Sequence, residues 1–178
     1  MVRVRTDTLL LGEWACLGVL VQRPAHGYDV SMRLARSGDI GRVWSLSRPL
    51  TYRAIDQLVA RDLLRTAREQ RGVAGGNRTV VAPSRQGRAV LLGWLGEPVE
   101  HLRDVRNVLL LKLVLCDLLE ADATPLIAAQ RALFAPMASG LRRPSARDAP
   151  VDPVELWREE SSRAVLRFLD RLSPRAIA

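Results

Sequence analysis

The sequence predicts a mainly α-helical chain that carries one small β-hairpin. Three observations lead there. Apolar residues recur at helical spacing through several segments between residues 8 and 172, as buried or amphipathic helices require. Two strand-like runs, 63–71 and 77–83, flank GVAGG, whose Gly75 and Gly76 suit a turn that needs positive φ. The charge is also uneven: residues 1–90 hold 15 Arg and no Lys against 7 acidic residues, a balance of +8, whereas residues 91–178 hold 12 basic and 12 acidic.

Size and composition bound the rest. At 178 residues the chain makes one large domain or two small ones. With 48% hydrophobic and 26% charged residues it reads as globular, with a real core. The most apolar window, 108–119, is interrupted by Lys112 and Asp117 and falls far short of the roughly 20 residues a bilayer span needs. The N-terminal MVRVRTD carries no signal-like apolar run, so the cytoplasm is the expected compartment and no membrane partner is expected. Cys16 and Cys116 lie inside apolar helical patterns, where small core hydrophobes are expected rather than a disulfide or a ligand pair.

In order along the chain, 8–22 is apolar enough for a buried first helix, stopped by Pro24. HGYDVSMRLARSG, 26–38, reads as a second helix with Tyr28, Met32 and Ala35 on one stripe and Gly38 as its C-cap. After the irregular run 38–47, Ser47 as N-cap and Pro49 in the first turn open a third helix. Thr51, Ile55, Leu58, Val59 and Asp62 fall on one side of it, and Pro49, Tyr52, Arg53 and Asp56 on the other. The third helix therefore presents an aromatic and basic outward face. The hairpin that follows carries Arg65, Arg68, Arg71 and Arg78. Three helices followed by a basic hairpin is the winged helix-turn-helix arrangement, expected over residues 1–95.

From Ser84 a helical pattern runs toward Leu119, broken at Glu97-Pro98. Thr124-Pro125 opens a helix striped by Leu126, Ala129, Leu133 and Met137. The run 142–153, with three prolines, reads as a linker. The last helix is striped by Trp157, Ala164, Val165, Phe168, Leu169 and Leu172. Residues 96–178 are thus expected to form a helical region with more apolar surface than it can bury alone, so a partner helix is expected and a homodimer is the simplest source of one.

No Ser, Cys, His or carboxylate group forms a recognisable catalytic set, so an enzyme is not expected. No metal site or cofactor is expected either: His26 and His101 have no cysteine or carboxylate at ligand spacing, and His26 reads as a structural cap. Gly75 and Gly76 are not followed by the Lys-Ser or Lys-Thr of a phosphate loop. An arginine excess confined to one candidate domain points to a polyanion such as nucleic acid.

The motifs PAHGYDV (24–30), WSLS (44–47), LTYRAIDQL (50–58), SRQGR (84–88) and GWL (93–95) occur in that order. On them, residues 8–95 resemble the PadR family of bacterial transcriptional regulators. RDVRNVLLLKL and WREESSRAV, within roughly 100–172, resemble the C-terminal helical region of PadR-like regulators related to virulence activators. The resemblance implies a sequence-specific regulator of transcription, a repressor that responds to a small molecule, with a C-terminal homodimer interface. The candidate DNA-binding residues are Arg48, Pro49, Thr51, Tyr52, Arg53, Arg68, Arg71 and Arg78, and double-stranded DNA is the expected partner. Trp94, on the helix after the wing, is the candidate for stacking on a planar aromatic effector, as the family's frequent use of phenolic compounds implies. The residues alone leave a rival open: a winged-helix adaptor whose basic face holds an acidic protein.

Overall fold

The computed structural model describes residues 9–71, 77–140 and 152–172. Its elements are α1 (Leu11–Gln22), β1 (Ala25–His26), α2 (Gly27–Arg33), α3 (Arg48–Ala60), β2 (Leu64–Arg71), β3 (Asn77–Pro83), α4 (Arg85–Gly96), α5 (Leu102–Asp104), a π-helical turn (Val105–Leu109), α6 (Leu110–Leu118), α7 (Thr124–Gly140) and α8 (Pro153–Leu172). The expected turn glycines Gly75 and Gly76, and most of the expected linker, lie outside the described residues. Pro153, placed in that linker by its sequence, already begins α8.

The described residues divide into two compact units, the first drawn from 1–95 and 110–121 and the second from the remainder. Residues 110–121, which the sequence places in the C-terminal helical region, therefore belong with the first unit. The reason is close packing: a Cβ on Gly18 would meet Leu115 Cδ2 at 2.5 Å, so the Leu115 side chain of α6 seats on the bare backbone of α1.

In the first unit α1 is buried nearly all round, with Trp14, Leu17 and Leu20 in the core. Its N-terminus is closed by Glu13, whose Oε2 accepts the Leu10 N–H at 2.8 Å, half of a capping box. Cys16 is buried in the same helix, and Cys116 in α6, neither of them in a disulfide. Helix α2 stops at Arg33, earlier than the expected cap at Gly38. The Arg33 carbonyl takes the N–H groups of Ile40 (3.3 Å) and Gly41 (3.0 Å), so the chain turns back on itself there. Arg33 also pairs with Asp39, and that hydrogen bond holds the Asp39 carboxyl below the usual range. The stripe Tyr28 and Met32 faces outward, while Val30, Ser31 and Leu34 are buried.

Three strands form an antiparallel sheet in the order β1-β3-β2. Strand β1 is only two residues, pairing Ala25 with Val81 and His26 with Val80. His26 stands at the N-cap position of α2 without capping it by its side chain. Its Nδ1 lies 3.2 Å from the Thr79 carbonyl oxygen instead, which ties the start of α2 to the wing.

In the second unit, α7 buries Leu126, Ile127, Gln130 and Phe134. Gln130 grips the backbone after Pro98, donating to the Val99 carbonyl at 2.8 Å and accepting its N–H at 2.7 Å. Asp122, not Thr124, supplies the N-terminal side-chain acceptor of α7, taking the Thr124 N–H at 2.9 Å. Leu133 and Met137, on the expected apolar stripe, are exposed, as are Val154, Leu156, Trp157 and Leu172 of α8.

Candidate nucleic-acid interface

Helix α3 begins where Ser47 leaves extended backbone (φ −70°, ψ 157°). The Ser47 side chain makes no capping bond, and its carbonyl accepts the Thr51 hydroxyl at 3.1 Å. Arg48 and Pro49 fill the first turn, and no acidic residue stands there. The N-terminal end of α3 therefore offers a positive dipole and an arginine with nothing on its own first turn to offset them.

The structure sorts the expected contact residues. Arg48, Pro49, Tyr52 and Arg53 are exposed on α3, with Tyr52 at 43%. Thr51 is not: it is fully buried, with Ala54, Ile55 and Leu58, and its hydroxyl is used within the helix. It leaves the candidate set, because at 0% exposure no groove or phosphate reaches it. Val59 and Asp62 leave the buried side for the opposite reason. Val59 is exposed, and Asp62 sits beyond the helix end with φ 58°. There the Asp62 N–H reaches the Val59 carbonyl and the Leu63 N–H the Leu58 carbonyl, each at 3.0 Å, a Schellman closure with aspartate where glycine is usual.

Two contacts fix the exposed face. The Arg48 guanidinium lies 4.9 Å from the centroid of the Tyr28 ring, a cation–π geometry. A Cβ on Gly27 would fall 2.6 Å from Tyr52 Cε1, so the bare backbone of Gly27 lets the Tyr52 ring settle on the start of α2. The motif His26-Gly27-Tyr28 thus ties β3, seats Tyr52 and carries Arg48, three roles that spacing alone does not reveal.

Not every arginine of the first unit is available to a polyanion. Arg33 is paired with Asp39. Arg61 lies 3.3 Å from the buried Glu13. Arg88 donates to the Val21 carbonyl at 3.2 Å. Arg48, Arg53 and Arg65 are exposed. In the wing, the backbone of Arg68 pairs with Val80, Arg71 with Asn77 and Gln70 with Arg78. The side chains of Arg68, Arg71 and Arg78 lie outside the described residues.

Trp94 is already engaged. Its ring stacks on Trp14 with centroids 4.4 Å apart and planes 5° from parallel. The Lys112 ammonium stands 4.6 Å from its centroid. With an indole on one face, the cation takes the other, and no face is left for a planar ligand. The expected effector-stacking role of Trp94 is therefore withdrawn; the residue is a packing element of the first unit. Among the described residues, no group of three or more His, Cys, Asp and Glu side chains is placed to hold a metal ion. No described helix is long and apolar enough to cross a membrane.

No family model matches the chain, and no curated protein matches it. Among solved structures, the chain is similar to Bacillus subtilis PadR in complex with operator DNA, at 17% identity, covering 91% of this chain and 97% of that one, with a TM-score of 0.47. It is also similar to Bacillus subtilis PadR at 16% identity, covering 97% and 96%, with a TM-score of 0.42.

Proposed function

We propose that the protein is a sequence-specific, double-stranded-DNA-binding regulator of transcription that acts as a homodimer. The observation that carries this reading is the N-terminal face of α3, where Arg48, Pro49, Tyr52 and Arg53 stand exposed together. A helix of this kind fits the major groove, and its N-terminal end meets base edges and phosphates. Arg48 and the helix dipole suit a phosphate, Tyr52 can donate its hydroxyl to another, and Arg53 can reach a guanine edge or the backbone. The arginine-bearing hairpin supplies flanking contacts through Arg68, Arg71 and Arg78.

The homodimer reading is supported by the second unit, whose α7 and α8 leave Met137, Val154, Leu156, Trp157 and Leu172 exposed, large apolar side chains of the kind that a partner covers. Two copies would also supply two half-sites, which a single winged helix needs for specificity. We read the protein as a repressor, because a dimer seated on an operator blocks a promoter without any activating surface, and as one released by a small molecule.

The test is titration of the full chain with duplex DNA from upstream of its own gene, over a range of salt. Tight binding to one sequence, with affinity falling steeply as salt rises, is the expected result. Weak binding indifferent to sequence would overturn the reading and favour an adaptor that holds an acidic protein.

A further inference from the structure

In the first unit, a groove of about 780 Å³ runs between the start of α1 and the first turns of α3, a size that holds small organic ligands. Leu10, Leu46, Leu50 and Ala54 give it an apolar wall, and Trp44, Arg53, Gln57 and Arg61 complete it. Glu13, also on the groove, is already satisfied by the Leu10 N–H at 2.8 Å and by Arg61 at 3.3 Å, so no ligand cation is called for. One donor is left over. The Arg53 guanidinium, exposed at the edge, has neither hydrogen bond nor ion pair among the described residues. Leucines on one side and an unanswered cation on the other describe the complement of an amphipathic anion.

We propose that this groove binds a medium-chain aliphatic carboxylic acid, its hydrocarbon on Leu10, Leu46 and Leu50 and its carboxylate at Arg53. Arg53 belongs to the face assigned to DNA, and one guanidinium does not serve a ligand carboxylate and a nucleic acid together. Acid and duplex therefore compete. This second half rests on the DNA-binding reading above; the binding of the acid does not.

The experiment is calorimetric titration of the full chain, without DNA, with decanoate and with its uncharged counterpart decanol. Decanoate is expected to bind about tenfold or more tightly than decanol, and Arg53→Gln to abolish that difference by weakening decanoate alone. Leu50→Asp, at an exposed position, is expected to weaken both ligands while circular dichroism stays unchanged. Equal affinity for the two ligands, no binding of either at millimolar concentration, or decanoate affinity that survives Arg53→Gln overturns the site. A second titration, with labelled duplex and saturating decanoate, is expected to show weakened DNA binding, and duplex a reciprocal weakening of decanoate. Bound decanoate with unchanged duplex affinity overturns the competition. Because the first titration contains no DNA, a chain that binds decanoate but fails to bind duplex even when no decanoate is present strikes the regulatory reading and leaves the groove standing.

Discussion

Gly87 lies so close to Leu63 that a Cβ at position 87 would stand 2.0 Å from the Leu63 carbonyl oxygen. The same carbonyl accepts the Ser84 N–H at 3.0 Å. Ser84 Oγ donates to the Asp62 carbonyl at 2.7 Å and accepts the Gly87 N–H at 2.9 Å. The first turn of α4 is thereby bolted to the reversal between α3 and β2, which sets the third helix and the wing in one frame. This is the physical content of the SRQGR motif: a serine that caps and bridges, and a glycine that admits a backbone oxygen.

Gly87→Ala should therefore destabilise the first unit by roughly 1–3 kcal/mol, since the obstruction is backbone and cannot rotate away. Ser84→Ala should cost about 1 kcal/mol, the usual worth of a cap. Urea denaturation followed by circular dichroism checks both, and an alanine at 87 that costs nothing would show the approach to be looser than described.

On α3 the buried and exposed positions should separate cleanly. Thr51→Val removes the hydroxyl bonded to Ser47 and should lower stability by about 1 kcal/mol, with duplex affinity of the folded protein unchanged. Arg53→Ala should leave stability alone and cost roughly 1–3 kcal/mol of binding if it meets a base edge. Arg78→Ala should lower the salt slope by about one if it touches a phosphate. Band shifts at several salt concentrations, beside a melting curve, read all three; unchanged affinity in both arginine variants means another face meets DNA.

Much of this was legible in the residues because local chemistry set it. Ser47 and Pro49 mark the start of α3, and the strands occupy Leu64–Arg71 and Asn77–Pro83 within a residue of the expected runs, since β-branched residues and hairpin spacing speak locally. Strand β1 was not legible: two residues carry no periodicity, and only their register with Val80 and Val81 makes them a strand. Trp94 was misjudged for the same reason at longer range. Whether an indole on an apolar stripe is free depends on Trp14 and Lys112, which come to it only in the folded unit. The membership of 110–121 likewise rests on Gly18 admitting Leu115, a fit between helices that each look ordinary alone. Of the interface, the exposed face of α3 could be read by helical spacing. Gly27 seating Tyr52 could not, although a glycine directly before an aromatic at a helix start was its one visible sign.

The second unit should associate through its apolar faces. Met137 and Trp157 border one hollow of about 590 Å³ together with His101, Arg106 and Arg158. Trp157 is 73% exposed, so it contributes little to its own chain's core. Trp157→Glu should leave the helix content intact while shifting the protein from dimer to monomer at micromolar concentration, as sedimentation would show. A wild-type monomer, or a variant that stays dimeric, would remove this face from the interface.

Cys16 gives a prediction that depends on pH. Burial in α1, and secondarily the nearby Glu13, push its thiol from an ordinary 9.0 up to about 12. The native protein should then resist thiol reagents at pH 8 at this position and react only on unfolding, because the thiolate is the nucleophile. The linkage follows from the same shift. Below pH 9 the thiol is protonated in both folded and unfolded chains, and the full stability is present. Between about pH 9 and about pH 12 the unfolded chain releases a proton that the folded one retains, so stability falls as pH rises. From pH 8 to pH 10 the loss from this one group should approach about 1.4 kcal/mol. Cys16→Ala will carry its own constant penalty for the space it leaves, so the informative quantity is the difference in slope. Unfolding free energies of both proteins at pH 8 and pH 10 give it directly, with the wild type expected to lose more. Parallel slopes would mean that the folded protein lets Cys16 ionise, and that the first helix is less tightly enclosed than its burial indicates.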